Sequence, residues 1–171
     1  MEKSGLTNAI YSEESVMTKT KEIIVKVKWH GPFSVEEITN GKTPLAFESG
    51  LYQIYGLHVV FGPDSLLYIG RTGGKTHGPT FKSRIKKHDS IWLMNFKPVS
   101  IYLGTIGKNN QATNDPLMNI KLVEDFSIWW HSPPCNSQNI NSFKARKLNI
   151  PLRVINLGER GKLIREYSEP R

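Results

Sequence analysis

The sequence predicts an α/β fold of the α+β kind, in which a small three-stranded antiparallel sheet is flanked by helices. Two observations predict this fold class. Segments rich in β-branched and aromatic residues alternate in polarity along the chain, and turn residues separate them. Between these segments lie stretches whose apolar residues recur at helical spacing. We expect an N-terminal strand and a C-terminal hairpin to be added to the sheet.

Length and composition indicate a single folded domain. The chain has 171 residues, of which 38% are hydrophobic, so it can bury a core without disulfide staples. Its only cysteine, Cys135, cannot form an intramolecular disulfide. We assign residues 21–171 to the domain. Residues 1–20 are polar and aperiodic, which predicts a flexible N-terminal arm.

The charge of the chain indicates the class of partner. A net charge of +8 and a pI near 9.6 attract polyanions, which favours nucleic acid over acidic small molecules or lipid surfaces. Charge alone does not separate DNA from RNA. No stretch approaches the roughly 18 to 20 uninterrupted apolar residues of a membrane helix. We therefore expect a cytoplasmic protein with no membrane partner.

The first predicted elements are structural. Residues 22–29 alternate apolar and polar side chains, which predicts a strand with one buried face. Ser34 and Glu37 have the spacing of a capping box, in which each residue satisfies a backbone N–H of the other. A short helix should therefore begin after Ser34 and end at Asn40.

Two strands should form the first part of the sheet. Residues 50–60 and 66–69 are strand-like, and Gly, Pro and Asp between them supply the geometry of a hairpin turn. Tyr52 and Tyr68 then lie on paired strands, where their side chains can be neighbours.

A short helix should follow over residues 79–88, because Phe81, Ile85 and His88 recur at helical spacing. Arg84 precedes His88 by four residues. Residues four apart on a helix are neighbours, so a guanidinium and an imidazole should lie side by side.

The turn before this helix resembles the end of a nucleotide-binding phosphate loop, GxxxxGK[ST], at residues 74–76. Ile69 occupies the position at which that loop needs its first glycine. Nucleotide hydrolysis is therefore disfavoured, although Lys75 remains suited to contact a phosphate.

The second half of the chain supplies a carboxylate. Residues 97–104 predict a third strand, and Asp115 and Pro116 open a helix that must end before Pro133. Glu124 lies in the middle of this apolar helix, where a carboxylate is costly unless it meets solvent, a metal or a cation. Residues 152–167 predict the C-terminal hairpin.

Several of these residues, in this order, resemble the GIY-YIG endonuclease superfamily. The motif begins with Gly50-Leu51-Tyr52 and continues with Tyr68-Ile69-Gly70. Arg84 with His88, then Glu124, and then Asn136 after two prolines complete it. The resemblance covers residues 50–136 and implies a GIY-YIG-like nuclease domain.

The sequence departs from the family pattern in two ways. The first triplet has Leu in place of Ile, and the gap to the second triplet is longer than the usual short hairpin. Tyr55, in Ile54-Tyr55-Gly56, is therefore an alternative first catalytic tyrosine. We favour Tyr52, because its neighbourhood fits the start of the family's first strand better.

The resemblance implies hydrolysis of DNA phosphodiesters with one divalent ion, Mg²⁺ or Mn²⁺. Glu124 would be the metal ligand, with Asp125 as the rival, since Mg²⁺ is commonly held by one or two carboxylates together with phosphate and water. Arg84 would bind the scissile phosphate through its planar fork.

The remaining motif residues would handle water and protons. Tyr52 would act as the general base or orient the water, Tyr68 would position water or phosphate, and His88 would take or relay the proton. Asn136 would hold the metal-bearing element or a phosphate by hydrogen bonding, with Asn139 and Asn141 as alternatives.

We expect the partner to be double-stranded DNA. Basic residues around the motif should contact its phosphates, which makes binding salt-dependent without specifying sequence. These residues are Arg71, Lys75, Lys82, Lys86 and Lys87. A homodimer would supply the two active sites that a duplex break requires. Within the family, the chain is most similar to the restriction-enzyme branch or to a small stand-alone nuclease. A homing or repair nuclease, and a non-catalytic nucleic-acid-binding module with the same fold, are the alternatives.

Overall fold

The computed structural model describes residues 22–73, 78–107, 115–140 and 151–168. The predicted N-terminal arm, residues 1–20, lies outside the described residues. Within these ranges, six strands and three α-helices form the fold. The strands are β1 (Ile23–Phe33), β2 (Gly50–His58), β3 (Gly62–Thr72), β4 (Ser100–Ile106), β5 (Leu152–Gly158) and β6 (Glu166–Ser168). The helices are α1 (Val35–Thr39), α2 (Phe81–Ile91) and α3 (Pro116–His131).

The strands form one mixed six-stranded sheet, and the prediction of a small three-stranded antiparallel sheet is wrong. The order is β3-β2-β4-β1-β5-β6, and the sheet curls into a half-barrel. The pair of β1 and β5 is parallel, whereas the other four pairs are antiparallel. The N-terminal strand and the C-terminal hairpin are thus the second half of the same sheet.

The error has a physical cause at β4. This strand pairs on both sides, with β2 along one edge and β1 along the other. Gly104 faces both Leu51 and Trp29, and the Trp29 ring lies across it so closely that a Cβ there would come within 2.7 Å of the ring. The local alternation of a strand shows that it pairs, but it does not show how many neighbours it has.

The helix boundaries follow local capping signals. Ser34 and Glu37 form the predicted capping box, and the Asp115 side chain caps α3 by accepting from Leu117 N. The start of α2 is capped by the Thr80 side chain, one residue after the proline that predicted it. Among the described residues, no helix is long and apolar enough to cross a membrane.

The two faces of the sheet bury separate cores. One face packs against α3, where Phe126 and Val123 meet Trp29, Leu51 and Ile69. The other face packs against α1 and α2, which cover the strand residues between those positions. Its buried residues include Ile38, Tyr52, Ile54, Phe81, Ile85, Ile101 and Leu103. Because β3 is an edge strand, side chains from both faces can meet around its edge.

Candidate active site

A polar cleft of about 350 Å³ lies at the edge of β3, between α2 and α3. Tyr68, Arg71, Arg84 and Glu124 line it, and they also line an adjoining depression that extends toward Thr72. The residues come from β3, α2 and α3. The cleft therefore gathers groups that are far apart in sequence.

The two motif tyrosines lie against each other beneath this cleft. The Tyr52 and Tyr68 rings stack with centroids 5.9 Å apart. Gly70 lies opposite Tyr52 in the ladder, and a Cβ at Gly70 would come within 2.4 Å of the Tyr52 hydroxyl oxygen. A glycine is required at this position because the hydroxyl occupies the space that any side chain would need.

Helix α2 brings two side-chain nitrogens to the Tyr52 hydroxyl. His88 Nε2 lies 2.8 Å from Tyr52 Oη, and Arg84 Nε donates to the same oxygen at 3.2 Å. The predicted pairing of Arg84 and His88 on one side of the helix is therefore present. Its target is Tyr52, which has a relative exposure of 0%.

Burial dominates the electrostatics of this group. It raises the pKa of Tyr52 above its ordinary value, and the nearby Tyr68 hydroxyl adds to the rise, whereas the Arg84 hydrogen bond opposes it. Burial and the charges of Arg84 and Lys87 lower the pKa of His88 to about 4. At neutral pH the phenol keeps its proton and the imidazole is neutral.

Only one of the two tyrosines reaches the cleft. Tyr68 is partly exposed and lines the cleft beside Arg84 and Glu124, whereas Tyr52 is fully buried and does not line it. A direct contact between Tyr52 and water therefore requires the side chains that cover it to move.

The alternative first tyrosine, Tyr55, lies on the opposite face of β2. Its hydroxyl donates to Gln53 Oε1 at 2.6 Å and accepts a hydrogen bond from Lys162 N at 2.9 Å. These contacts join β2 to the loop after β5. Tyr55 contacts neither Arg84 nor His88 in the described structure.

Glu124 faces the cleft from α3. Arg71 Nε donates to Glu124 Oε2 at 2.7 Å, while no described residue hydrogen-bonds to Oε1. Burial raises the pKa of Glu124 to about 7, against the lowering effect of Arg71. The rival ligand, Asp125, is instead bound to Lys121 and to Asn139 Nδ2.

The oxygen atoms that line the cleft are of the kind that hard divalent ions bind, and the Glu124 carboxylate would be the principal ligand. Among the described residues, no group of three or more His, Cys, Asp or Glu side chains could hold a metal ion. Mg²⁺ needs fewer protein ligands than that, since substrate phosphate and water complete its shell. Glu124 Oε1 is the candidate oxygen, and Ser137 and Gln138 add hydroxyl and amide oxygens to the lining.

Asn136 contacts the backbone of β3. Its Oδ1 accepts from Ile69 N at 3.0 Å, and its Nδ2 donates to Ile69 O at 2.8 Å. Cys135 N adds a bond to Leu67 O at 2.9 Å. The segment after α3 thus pairs with the outer edge of β3 on both sides of Tyr68. Asn141, the other alternative, lies outside the described residues.

The predicted DNA-binding residues differ in their surroundings. Arg71 is engaged with Glu124, and Lys82 lies over the Phe47 ring, 5.6 Å from its centroid. Lys86 and Lys87 are exposed on α2. Lys75 lies outside the described residues.

One contact of the site was missed from the sequence. Trp92 Nε1 donates to His88 Nδ1 at 2.9 Å. Trp92 follows His88 by four residues, the same spacing that predicted the Arg84–His88 pair. Continuing the helix past residue 88 would have found it.

Comparisons of the chain with models of protein families, with curated proteins and with solved structures gave no match. The function is therefore proposed from the residues and their geometry.

Proposed function

We propose that this chain is a metal-dependent endonuclease that hydrolyses phosphodiester bonds of double-stranded DNA. One observation carries the proposal. Tyr52, Tyr68, Arg84 and His88 form a single contact group, and Tyr68 and Arg84 share a cleft with Glu124. Packing alone does not require a cation, a carboxylate and a tyrosine to converge on one polar cleft.

Arg84 is the group proposed to bind the scissile phosphate. Its hydrogen bond to Tyr52 raises the pKa of an already strong base, so the guanidinium stays charged at any working pH. Nε of Arg84 donates to Tyr52, a second hydrogen bond links Arg84 to Tyr68, and the side chain lines the cleft. A charge placed beside the phosphate offsets the negative charge that builds on its oxygens during attack.

Glu124 is the residue proposed to hold Mg²⁺ or Mn²⁺, one ion per site. When bound, such an ion supplies Lewis-acid polarisation of the phosphate and lowers the pKa of a coordinated water. Arg71 neutralises the same carboxylate in the structure. It is therefore proposed to turn from Glu124 Oε2 toward a DNA phosphate when both ligands arrive.

The two tyrosines are proposed to have different roles toward the attacking water. Tyr68 lines the cleft and is proposed to position the attacking water or the phosphate. Tyr52 is proposed to orient the attacking water or to act as the general base. It lies behind Tyr68 and keeps its proton at neutral pH. Acting as a base therefore requires a movement that exposes its hydroxyl to the cleft, where the phenol proton first passes to solvent water. Asn136 is proposed to act indirectly, by fixing the β3 backbone beside Tyr68.

The net charge of +8 supports DNA as the polyanion, with Arg71, Lys82, Lys86 and Lys87 as phosphate contacts. A homodimer is proposed for cutting both strands, and the cytoplasm as the compartment. A restriction enzyme is the role we favour, with homing and repair nucleases as alternatives.

A non-catalytic nucleic-acid-binding module is the second candidate. The pairing of Glu124 with Arg71 favours it, because an arginine already satisfies the carboxylate that a metal would need.

Incubation with supercoiled plasmid and Mg²⁺ or Mn²⁺ tests both candidates. We expect the wild type to nick the plasmid and both Glu124→Ala and Arg84→Ala to lose at least about 10²-fold in rate. The matched controls Glu36→Ala and Arg165→Ala change exposed residues away from the cleft and should nick normally. Equal nicking by Glu124→Ala and wild type would exclude the proposed site. A gel shift without cutting at either ion would favour the binding module.

A further inference from the structure

Trp92 is the first residue after α2, and it turns back onto that helix. Its backbone N–H donates to His88 O at 3.0 Å, and its indole Nε1–H donates to His88 Nδ1 at 2.9 Å. The two rings meet edge to face, with centroids 5.5 Å apart. The imidazole is therefore held on two sides, by Trp92 at Nδ1 and by Tyr52 at Nε2.

The Trp92 contact determines which nitrogen of His88 carries the proton. An indole N–H is a donor only, so the nitrogen that receives it must have a free lone pair. Nδ1 is therefore unprotonated, and the proton of the neutral ring lies on Nε2. It follows that the 2.8 Å contact with Tyr52 is a donation from His88 Nε2–H to the phenol oxygen.

Tyr52 Oη then accepts two N–H bonds, one from the imidazole and one from the Arg84 guanidinium. Donors directed at a phenol oxygen favour its ionised form and oppose the effect of burial. Because both nitrogens direct a hydrogen at the phenol oxygen, Tyr52 does not donate its own hydroxyl hydrogen to His88. A neutral His88 in this form has no lone pair left with which to take that proton.

We propose that Trp92 is a positioning residue that holds His88 in the Nε2–H tautomer, so that His88 acts as a hydrogen-bond donor to Tyr52 and not as a proton acceptor. The tautomer stands on contacts alone, and its catalytic meaning rests on the proposed nuclease function. The role differs from the proton relay that the sequence predicts for His88.

The groups that face His88 agree with this assignment. Tyr52 and Tyr68 approach it from the sheet, and Arg84 and Lys87 lie on its own helix. None of these four residues is a carboxylate, the group that would stabilise a positively charged His88 ring. Protonation of Nδ1 would also set two N–H donors against each other at Trp92.

Nitrogen-15 NMR of the histidine rings tests the tautomer in the metal-free protein at pH 7. We expect His88 to show a protonated Nε2 and an unprotonated Nδ1. His131 is an internal reference of opposite form, because its Nδ1 lies 3.0 Å from Ser127 O and must donate there. A His88 ring protonated at Nδ1, or at both nitrogens, would overturn the proposal.

Trp92→Phe tests the cause of the tautomer. Without the indole donor, we expect His88 to become a mixture of the two tautomers, while Trp130→Phe, which changes an indole on the other side of the sheet, should leave it unchanged. An unaltered Nε2–H signal in Trp92→Phe would show that Trp92 does not fix the tautomer. If this variant does not fold, the wild-type spectrum still decides whether His88 donates from Nε2.

A pair of His88 variants tests the donor role in catalysis. Glutamine can place an N–H near the position of Nε2 but cannot take up a proton at neutral pH, whereas alanine can do neither. We expect His88→Gln to retain at least tenfold more nicking activity than His88→Ala. Equal loss in both variants would overturn the donor role. If the wild type itself does not cut DNA, the proposed function fails and the NMR result still stands.

Discussion

Each face of the sheet buries a tyrosine that lies next to a histidine. The pair is Tyr52 and His88 on the α2 face, and Tyr167 and His131 on the α3 face. The two histidines differ in their hydrogen-bond partners. On the α2 face, both ring nitrogens of His88 contact side chains, those of Tyr52 and Trp92. On the α3 face, the ring nitrogens of His131 contact backbone groups, Ser127 O at 3.0 Å and Ile164 N at 3.4 Å. Burial lowers the pKa of both histidines.

This difference teaches how to separate a structural pair from a candidate catalytic one. A perturbed pKa does not separate them, because burial produces it on either face. The partners do. Backbone groups fix a ring in place and carry no charge, whereas the side chains around His88 lead through Arg84 and Tyr68 to a cleft with a carboxylate.

The largest expected effect is on the nicking rate, when the hydroxyl of Tyr52 is removed. Removing the hydroxyl of Tyr55, on the other face of β2, is the matched comparison. Tyr52→Phe should lower the nicking rate by about 10²-fold or more, since a general base typically contributes that much. Tyr55→Phe should change the rate less than about threefold while lowering the unfolding free energy by about 1 to 2 kcal/mol. That variant leaves Gln53 Oε1 and Lys162 N without their partner. Urea titration and plasmid nicking measure the two quantities, and the reverse pattern would make Tyr55 the catalytic tyrosine.

Asn136→Ala should have the next largest effect, mainly on stability. It removes two buried hydrogen bonds to Ile69, for a loss of about 2 to 3 kcal/mol. The matched change Asn139→Ala removes one bond to Asp125 and should cost about 1 kcal/mol. Chemical denaturation of both variants gives the comparison, and a smaller loss for Asn136 would mean that its role is not structural.

Acid should weaken the α2 face through His88. Its pKa is about 4 in the folded protein, below its ordinary value of 6.5, so the unfolded chain binds the proton first as pH falls. The contribution of His88 to the unfolding free energy is complete above about pH 6.5 and is lost progressively toward pH 4. Between pH 7 and pH 5, wild type should lose on the order of 1 kcal/mol more than His88→Gln, which lacks this titration. Parallel curves for the two proteins would show that His88 does not titrate as the geometry requires.

The smallest effect should come from the exposed lysines of α2. Lys86→Ala and Lys87→Ala should each weaken DNA binding a few-fold and reduce the slope of log affinity against log salt by about 1. Lys26→Ala, an exposed change on β1, is the control and should leave the slope unchanged. Fluorescence anisotropy with duplex DNA at several salt concentrations measures this slope. An equal effect from Lys26 would indicate non-directional attraction by the net charge.

Local signals in the sequence predicted the capping box of α1, the Asp115 cap of α3 and the pairing of Arg84 with His88. These features depend on residues within one turn of each other. The size of the sheet was predicted wrongly, because β1 and β5 pair from opposite ends of the chain and neither strand carries a sign of its partner. The burial of Tyr52 could not be predicted either, since it depends on how α2 and Tyr68 cover the strand.

The parallel pairing of β1 with β5 also has a consequence for how the chain is made. Contacts between distant segments close slowly, because the loop entropy is lost before the pairing stabilises the fold. During synthesis β1 leaves the ribosome long before β5, so the edge of β1 that pairs with β5 is unpaired in the meantime. We therefore expect β1 to be the segment most in need of protection until β5 has been synthesised.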